Sequence, residues 1–73
     1  MTIYTKNNCV QCKMTERWLL DHGLKEFKVV NTSINHEGLA YVKSKGIKQL
    51  PYVETDIRSW SGFKPQELAK LVK

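Results

Sequence analysis

Thr2-Ile3-Tyr4-Thr5 is short, β-branched and aromatic, and it predicts a first strand. Lys6-Asn7-Asn8 is a polar turn. From Val10 to His22 the apolar spacing becomes helical, with Met14/Trp18 and Thr15/Leu19 as i,i+4 pairs and Gly23 as the stop. Phe27 to Asn31 predicts a second strand, and Thr32-Ser33-Ile34-Asn35 a loop with capping chemistry. A second helix is predicted from His36 to Lys45. It turns Leu39, Val42 and Tyr41 inward, places Lys43 and Lys45 at its negative end, and stops at Gly46. Leu50-Pro51-Tyr52-Val53-Glu54 predicts a third strand that opens with proline. Thr55-Asp56 is a turn and Ile57-Arg58-Ser59-Trp60 a fourth strand, closing a hairpin. After the Ser61–Lys64 loop, Pro65 suits the first position of a last helix, whose apolar face is Leu68, Leu71 and Val72.

The predicted order is β-α-β-α-β-β-α. Strands joined through a helix are expected to lie parallel with a right-handed crossover, and the final hairpin antiparallel. The result is an α/β fold with a four-stranded mixed sheet flanked by three helices. The chain of 73 residues fits a single domain, residues 1–73. A domain of that size buries only about 60% of the surface its unfolded chain exposes. Its chemistry is therefore expected at the surface or in a shallow groove, acting on a protein or peptide-like partner.

No apolar run approaches the roughly 20 residues that span a bilayer. Met1-Thr2-Ile3-Tyr4 lacks the basic and apolar regions of a secretory signal and reads as strand. A cytoplasmic location follows, where disulfides are transient. The formal net charge of +5 raises a nucleic-acid reading, but the 12 Lys and Arg are dispersed. Such a charge fits solubility or steering of an acidic protein partner, with no nucleic acid or membrane as partner.

The chemistry lies in Cys9-Val10-Gln11-Cys12, a C-x-x-C motif between a strand and a helix start. A sulfur at the helix N-terminus faces unpaired N–H groups and the positive end of the dipole. Both favour thiolate, the attacking species in disulfide exchange. Lys6 adds positive charge from the preceding turn. Cys12, one turn further in, is expected to be the more buried, and Cys9 to be exposed at the helix tip. Three other readings of the pair stay open. A zinc half-site would need two more ligands, and His22 and His36, 14 apart, do not match the usual spacing. A structural disulfide would close a very short loop. The third reading is two inert core cysteines. The histidines read as surface residues, His22 favouring a helix C-terminus.

Three segments together carry a resemblance: Tyr4 to Cys12, Gln49-Leu50-Pro51, and Trp60-Ser61-Gly62-Phe63-Lys64-Pro65. Over almost its whole length the chain resembles the NrdH-redoxins, glutaredoxin-like proteins with thioredoxin-like activity. The resemblance implies a thioredoxin fold, Cys9 as nucleophile and Cys12 as resolving thiol. It also implies a cis peptide before Pro51, packed against the dithiol, and a substrate groove that takes in Lys6, Val10, Gln11, Leu50 and Pro51. Electrons would come from thioredoxin reductase, and ultimately NADPH, and pass to the class Ib ribonucleotide reductase large subunit, with no bound cofactor or metal and a monomeric carrier. Val10-Gln11 stands where ordinary glutaredoxins have Pro-Tyr, and Leu50-Pro51 where they have Val-Pro. Trp60-Ser61-Gly62-Phe63 replaces their glutathione-binding Gly-Gly and acidic pattern, and Asp56 comes too early to substitute. Trp60 and Phe63 are expected both as core and as the segment packing the last helix toward the site, and Trp18 as helix packing. The alternatives are a glutathione-dependent glutaredoxin and a metal- or cluster-binding module built on Cys9 and Cys12.

Overall fold

The computed structural model describes residues 1–72. Its elements are β1 (Thr2–Thr5), α1 (Val10–Asp21), β2 (Lys28–Asn31), α2 (His36–Ser44), β3 (Tyr52–Glu54), β4 (Ser59–Ser61) and α3 (Pro65–Ala69). The sheet order is β2-β1-β3-β4. β1 and β2 are parallel, with Ile3 opposite Val29, while β3 runs antiparallel to both β1 and β4.

The parallel rule therefore holds across α1 and fails across α2. The Lys45–Pro51 connection carries the chain back to the end of the sheet where β1 stops, and β3 sets out from there in the opposite direction. The return is visible in Leu50, whose carbonyl oxygen lies 3.8 Å from the Cys9 sulfur.

Residues of β1 alternate between the two faces of the sheet, as the period of two demands. Ile3 packs with Leu19 of α1, Val53 of β3, Trp60 of β4 and Leu68 of α3 into the buried core. Trp18, Phe27, Phe63 and Leu71 lean against it, so Trp18 is helix packing as read from the sequence. On the other face Tyr4 stacks on Tyr41 of α2, with ring centroids 5.3 Å apart. The chain thus forms three layers, with α1 and α3 on one side of the sheet and α2 on the other.

Four more sequence expectations need correction. Leu39 and Tyr41 are not buried: both are 36% exposed, although Tyr41 stacks on Tyr4, and the buried residues of α2 are Gly38 and Val42. α2 lies so close to β2 that a Cβ on Gly38 would stand 2.5 Å from Val30 Cγ1. Gly38 thereby sets which stripe faces the sheet, and Leu39, the next residue round the helix, turns out. The fourth strand starts two residues later, at Ser59, and ends at Ser61, so Ile57 lies in the turn, 79% exposed. Thr55 causes this. Its Oγ1 accepts from the N–H groups of Ile57 and Arg58, and its N–H donates to Arg58 O, so pairing begins only at Ser59. Pro51 precedes β3, which starts at Tyr52. Leu71 and Val72 lie past the end of α3, both half-buried.

The α2 face is fastened by one carboxylate. Glu54 Oε2 accepts from Tyr41 OH at 2.5 Å and Tyr52 OH at 3.4 Å, and pairs with Lys45 Nζ at 3.5 Å. The Tyr41 hydrogen bond, with help from Lys45, holds the Glu54 carboxyl below its ordinary value. A depressed carboxylate stabilises the fold above its unfolded pKa and loses that contribution as pH falls through the folded one. Urea midpoints should therefore drop between about pH 5 and pH 3. Glu54→Gln should flatten that part of the profile, as followed by circular dichroism.

Candidate functional site

The site begins in the turn before α1. Asn8 takes φ 57°, the left-handed region that asparagine tolerates. It delivers Cys9 in extended geometry as the N-cap of α1. The Cys9 sulfur accepts from the Cys12 N–H at 3.2 Å, the place usually taken by a serine or aspartate oxygen. No acidic residue stands in the first turn to cancel the helix's positive end. A thiolate at Cys9 would meet an oriented N–H donor and an uncompensated dipole, and both lower a thiol's pKa.

Cys9 and Cys12 form a disulfide, with Cα atoms 5.2 Å apart. The order of burial matches the sequence reading, with Cys12 2% and Cys9 7% exposed. An exposed Cys9 does not. The Leu50 carbonyl lies over its sulfur at 3.8 Å, and clefts open on the flanks of the disulfide.

Leu50–Pro51 is a cis peptide, as the resemblance implied, and Leu50 is half-buried beside Cys9. Pro51 O accepts from the Gly62 N–H at 2.8 Å, which ties the loop ahead of β3 to the chain after β4. Val10 is 71% exposed at the helix start, next to the disulfide.

Gln11 turns the other way. Its Oε1 accepts from the Phe63 N–H at 3.0 Å and lies 3.5 Å from Gln49 Nε2. The side chain between the two cysteines thus holds the Gly62-Phe63 segment against the site. Gly62 permits this closeness: it has φ 86°, and a Cβ there would stand 3.3 Å from Gln49 Nε2 and 3.4 Å from Gln11 Oε1. Ser61 is half-buried in β4. Trp60 is buried in the core, and its indole N–H has no partner among the described residues. Phe63 is partly buried against the same core. The expectation that the aromatic side chains of this segment are core holds, and its backbone in addition braces the site.

Two clefts flank the disulfide. One, of about 530 Å³, runs between α1 and β2 and is lined by Lys6, Cys9, Cys12, Lys13, Glu16 and Asn31 among others. The other, of about 310 Å³, lies on the Leu50 side and includes Lys6, Val10, Gln11 and Lys48. Lys6 borders both.

The residues that pin the active-site turn were not foreseen from the sequence. Asn31 Nδ2 donates to Asn7 Oδ1 at 3.0 Å, Ser33 Oγ accepts from the Asn7 N–H at 2.9 Å, and Thr32 Oγ1 donates to Thr5 O at 2.8 Å. Polar loop residues carry no periodic signal. Only the capping chemistry of residues 32–35 hinted at order there. His22 caps the C-terminus of α1, its Nδ1 2.8 Å from Trp18 O and its ring stacked on Trp18. His36 opens α2, and both histidines are exposed. No cluster of three His, Cys, Asp or Glu suited to a metal occurs among the described residues. None of their helices is long and apolar enough to cross a membrane.

The glutaredoxin family model matches residues 1–59. The chain is 41% identical over 71 residues to the glutaredoxin-like protein NrdH of Lactococcus lactis subsp. cremoris, covering 97% of each chain. The chain belongs to the glutaredoxin family. Within it the chain is an NrdH-type protein, 38% identical to the Escherichia coli NrdH over 97% of this chain and 86% of that one. Its fold superposes on the solved E. coli NrdH-redoxin with a TM-score of 0.90, covering 96% of this chain and 91% of that one. That protein is described as glutaredoxin-like with a thioredoxin-like activity profile. The thioredoxin-like protein BC3987 shares the fold at a TM-score of 0.84 and 17% identity, with 96% of each chain covered.

Proposed function

We propose that this single-domain, monomeric, cytoplasmic protein carries electron pairs from thioredoxin reductase, and ultimately NADPH, to the large subunit of a class Ib ribonucleotide reductase. In this reading the Cys9 thiolate attacks the substrate disulfide and forms a mixed disulfide. Cys12 then attacks Cys9, and the reduced substrate leaves. The reductase restores the dithiol, and no bound cofactor takes part. Lys6, Val10, Gln11, Leu50 and Pro51 form the groove in which the partner's chain lies against the disulfide.

One observation supports a protein reductase over glutathione. The backbone donors after the hairpin are already engaged within the chain: Gly62 N–H on Pro51 O and Phe63 N–H on Gln11 Oε1. A tripeptide carboxylate arriving there would have to displace these bonds, each worth about 0.5–1.5 kcal/mol net. The NrdH relatives and the thioredoxin-like activity profile described for the E. coli protein point the same way.

NADPH oxidation tests the reading. With an insulin-type protein disulfide as acceptor, turnover driven by thioredoxin reductase should exceed that driven by glutathione and glutathione reductase by at least about tenfold, the factor that 1.4 kcal/mol of differential binding supplies. Faster turnover in the glutathione system would instead make the chain a glutathione-dependent glutaredoxin.

A further inference from the structure

One ionisable group at the site has no part in the exchange described so far. Glu16 lies four residues after Cys12 on α1, which puts the two side chains on the same helix face, one above the other. Helical side chains lean toward the N-terminus, so the carboxylate is directed toward the Cys12 turn. Glu16 is half-buried and lines the roughly 530 Å³ cleft that also contains Cys9 and Cys12.

We propose that Glu16 is the proton acceptor for Cys12 in the resolving step, working through water held in that cleft. The inference rests on the two-step exchange above.

Cys12 creates the need. It is 2% exposed and shares neither the N-cap position nor the dipole contact that favours a thiolate at Cys9. A thiol at that depth keeps its proton unless something takes it. Among the residues lining the cleft, Glu16 is the one acid. Lys6 from the turn and Lys13 from α1 are its cations, while Thr5, Val29 and Asn31 present neutral side chains from the strands. The cleft is several times larger than one water, so a relay fits. Burial raises the Glu16 carboxyl above its ordinary value, which makes it a better match for a thiol proton.

The step balances. The proton of Cys12 passes to the Glu16 carboxylate. The Cys12 sulfur bonds to the Cys9 sulfur, and the bond from Cys9 to the substrate sulfur breaks. The substrate leaves as a thiolate with the electron pair, and the proton on Glu16 returns to it or to water. Two protein thiols are oxidised and one substrate disulfide is reduced.

Stopped-flow mixing of the reduced protein with equimolar dithiobis(nitrobenzoate) separates the two steps. A first release of nitrothiobenzoate reports attack by Cys9, and a second reports resolution by Cys12. In Glu16→Gln the ratio of second-phase to first-phase rate should fall about tenfold at pH 7, within what general-base assistance supplies. The deficit should close toward pH 9, where thiols ionise unaided. Glu16→Asp, which keeps a carboxylate, should recover most of the ratio. An unchanged ratio, as a purely structural role gives, or a raised one, as removal of a repelling charge gives, would overturn the proposal. Failure of the dithiol reading itself shows separately, as a wild type with no second phase.

Discussion

Replacing Cys12 with serine will turn the protein into a trap for its partners. Attack by Cys9 depends on features this variant retains: the N-cap position, the Cys12-position N–H, which is a backbone donor, and a first turn free of acidic residues. Release of the substrate depends on the thiol that is gone. A serine hydroxyl is hardly ionised near neutrality, so multiple-turnover disulfide reduction should fall on the order of 10³-fold or more. Intact-mass spectrometry after mixing with a protein disulfide should find the adduct on Cys9. Cys9→Ser should lose turnover as completely but trap nothing, because the remaining sulfur on Cys12 lacks the N-cap position that favours a thiolate at Cys9 and lies deeper than it. Equal trapping by the two variants would mean that the helix start does not set the direction of the exchange. Titration of reduced Cys9 checks the same cause. Its pKa should lie below the ordinary thiol value of about 8.5.

Leu19→Ala should bring the largest loss of stability. Leu19 is fully buried where α1 meets Ile3, Val53, Trp60 and Leu68. Truncating a buried leucine costs about 2–5 kcal/mol, as lost transfer energy plus the cavity left behind. At roughly 0.05–0.15 kcal/mol per residue, a chain of 73 residues holds few such contributions in reserve. Urea unfolding should show the midpoint falling by about half. Because Leu19 lies on the helix that carries both cysteines, activity should decline with the folded fraction and recover with it on cooling toward the stability maximum. A variant as stable as the parent would show that the core does not hang on α1.

Much of this molecule was legible as local chemistry. The helix from Val10 could be read because Thr15 and Leu19 recur at helical spacing and Gly23 follows, and they are its buried face. The dithiol at the helix start could be read because a cap is made by residues three apart. Pattern reading failed where a nearby polar group competed with an apolar run. Thr55 drew Ile57 into a turn and moved β4 along the chain. It failed again where backbone proximity overrode hydrophobicity, as Gly38 against Val30 turned Leu39 outward.

By itself, then, the chain's sequence determined the order of strands and helices, the chemical class of the site and the relative depth of its two sulfurs. Each of these follows from neighbours within one turn or one strand. The tertiary structure decided the reversed direction of β3, the covering of Cys9 by Leu50, the Gln11 bridge to Phe63 and the cleft that β2 closes over the Cys12 and Glu16 face of α1. Those features join residues such as Cys9 and Leu50, 41 apart, or Gln11 and Phe63, 52 apart. Periodicity carries no information about such pairs, because only closing the sheet brings them within reach.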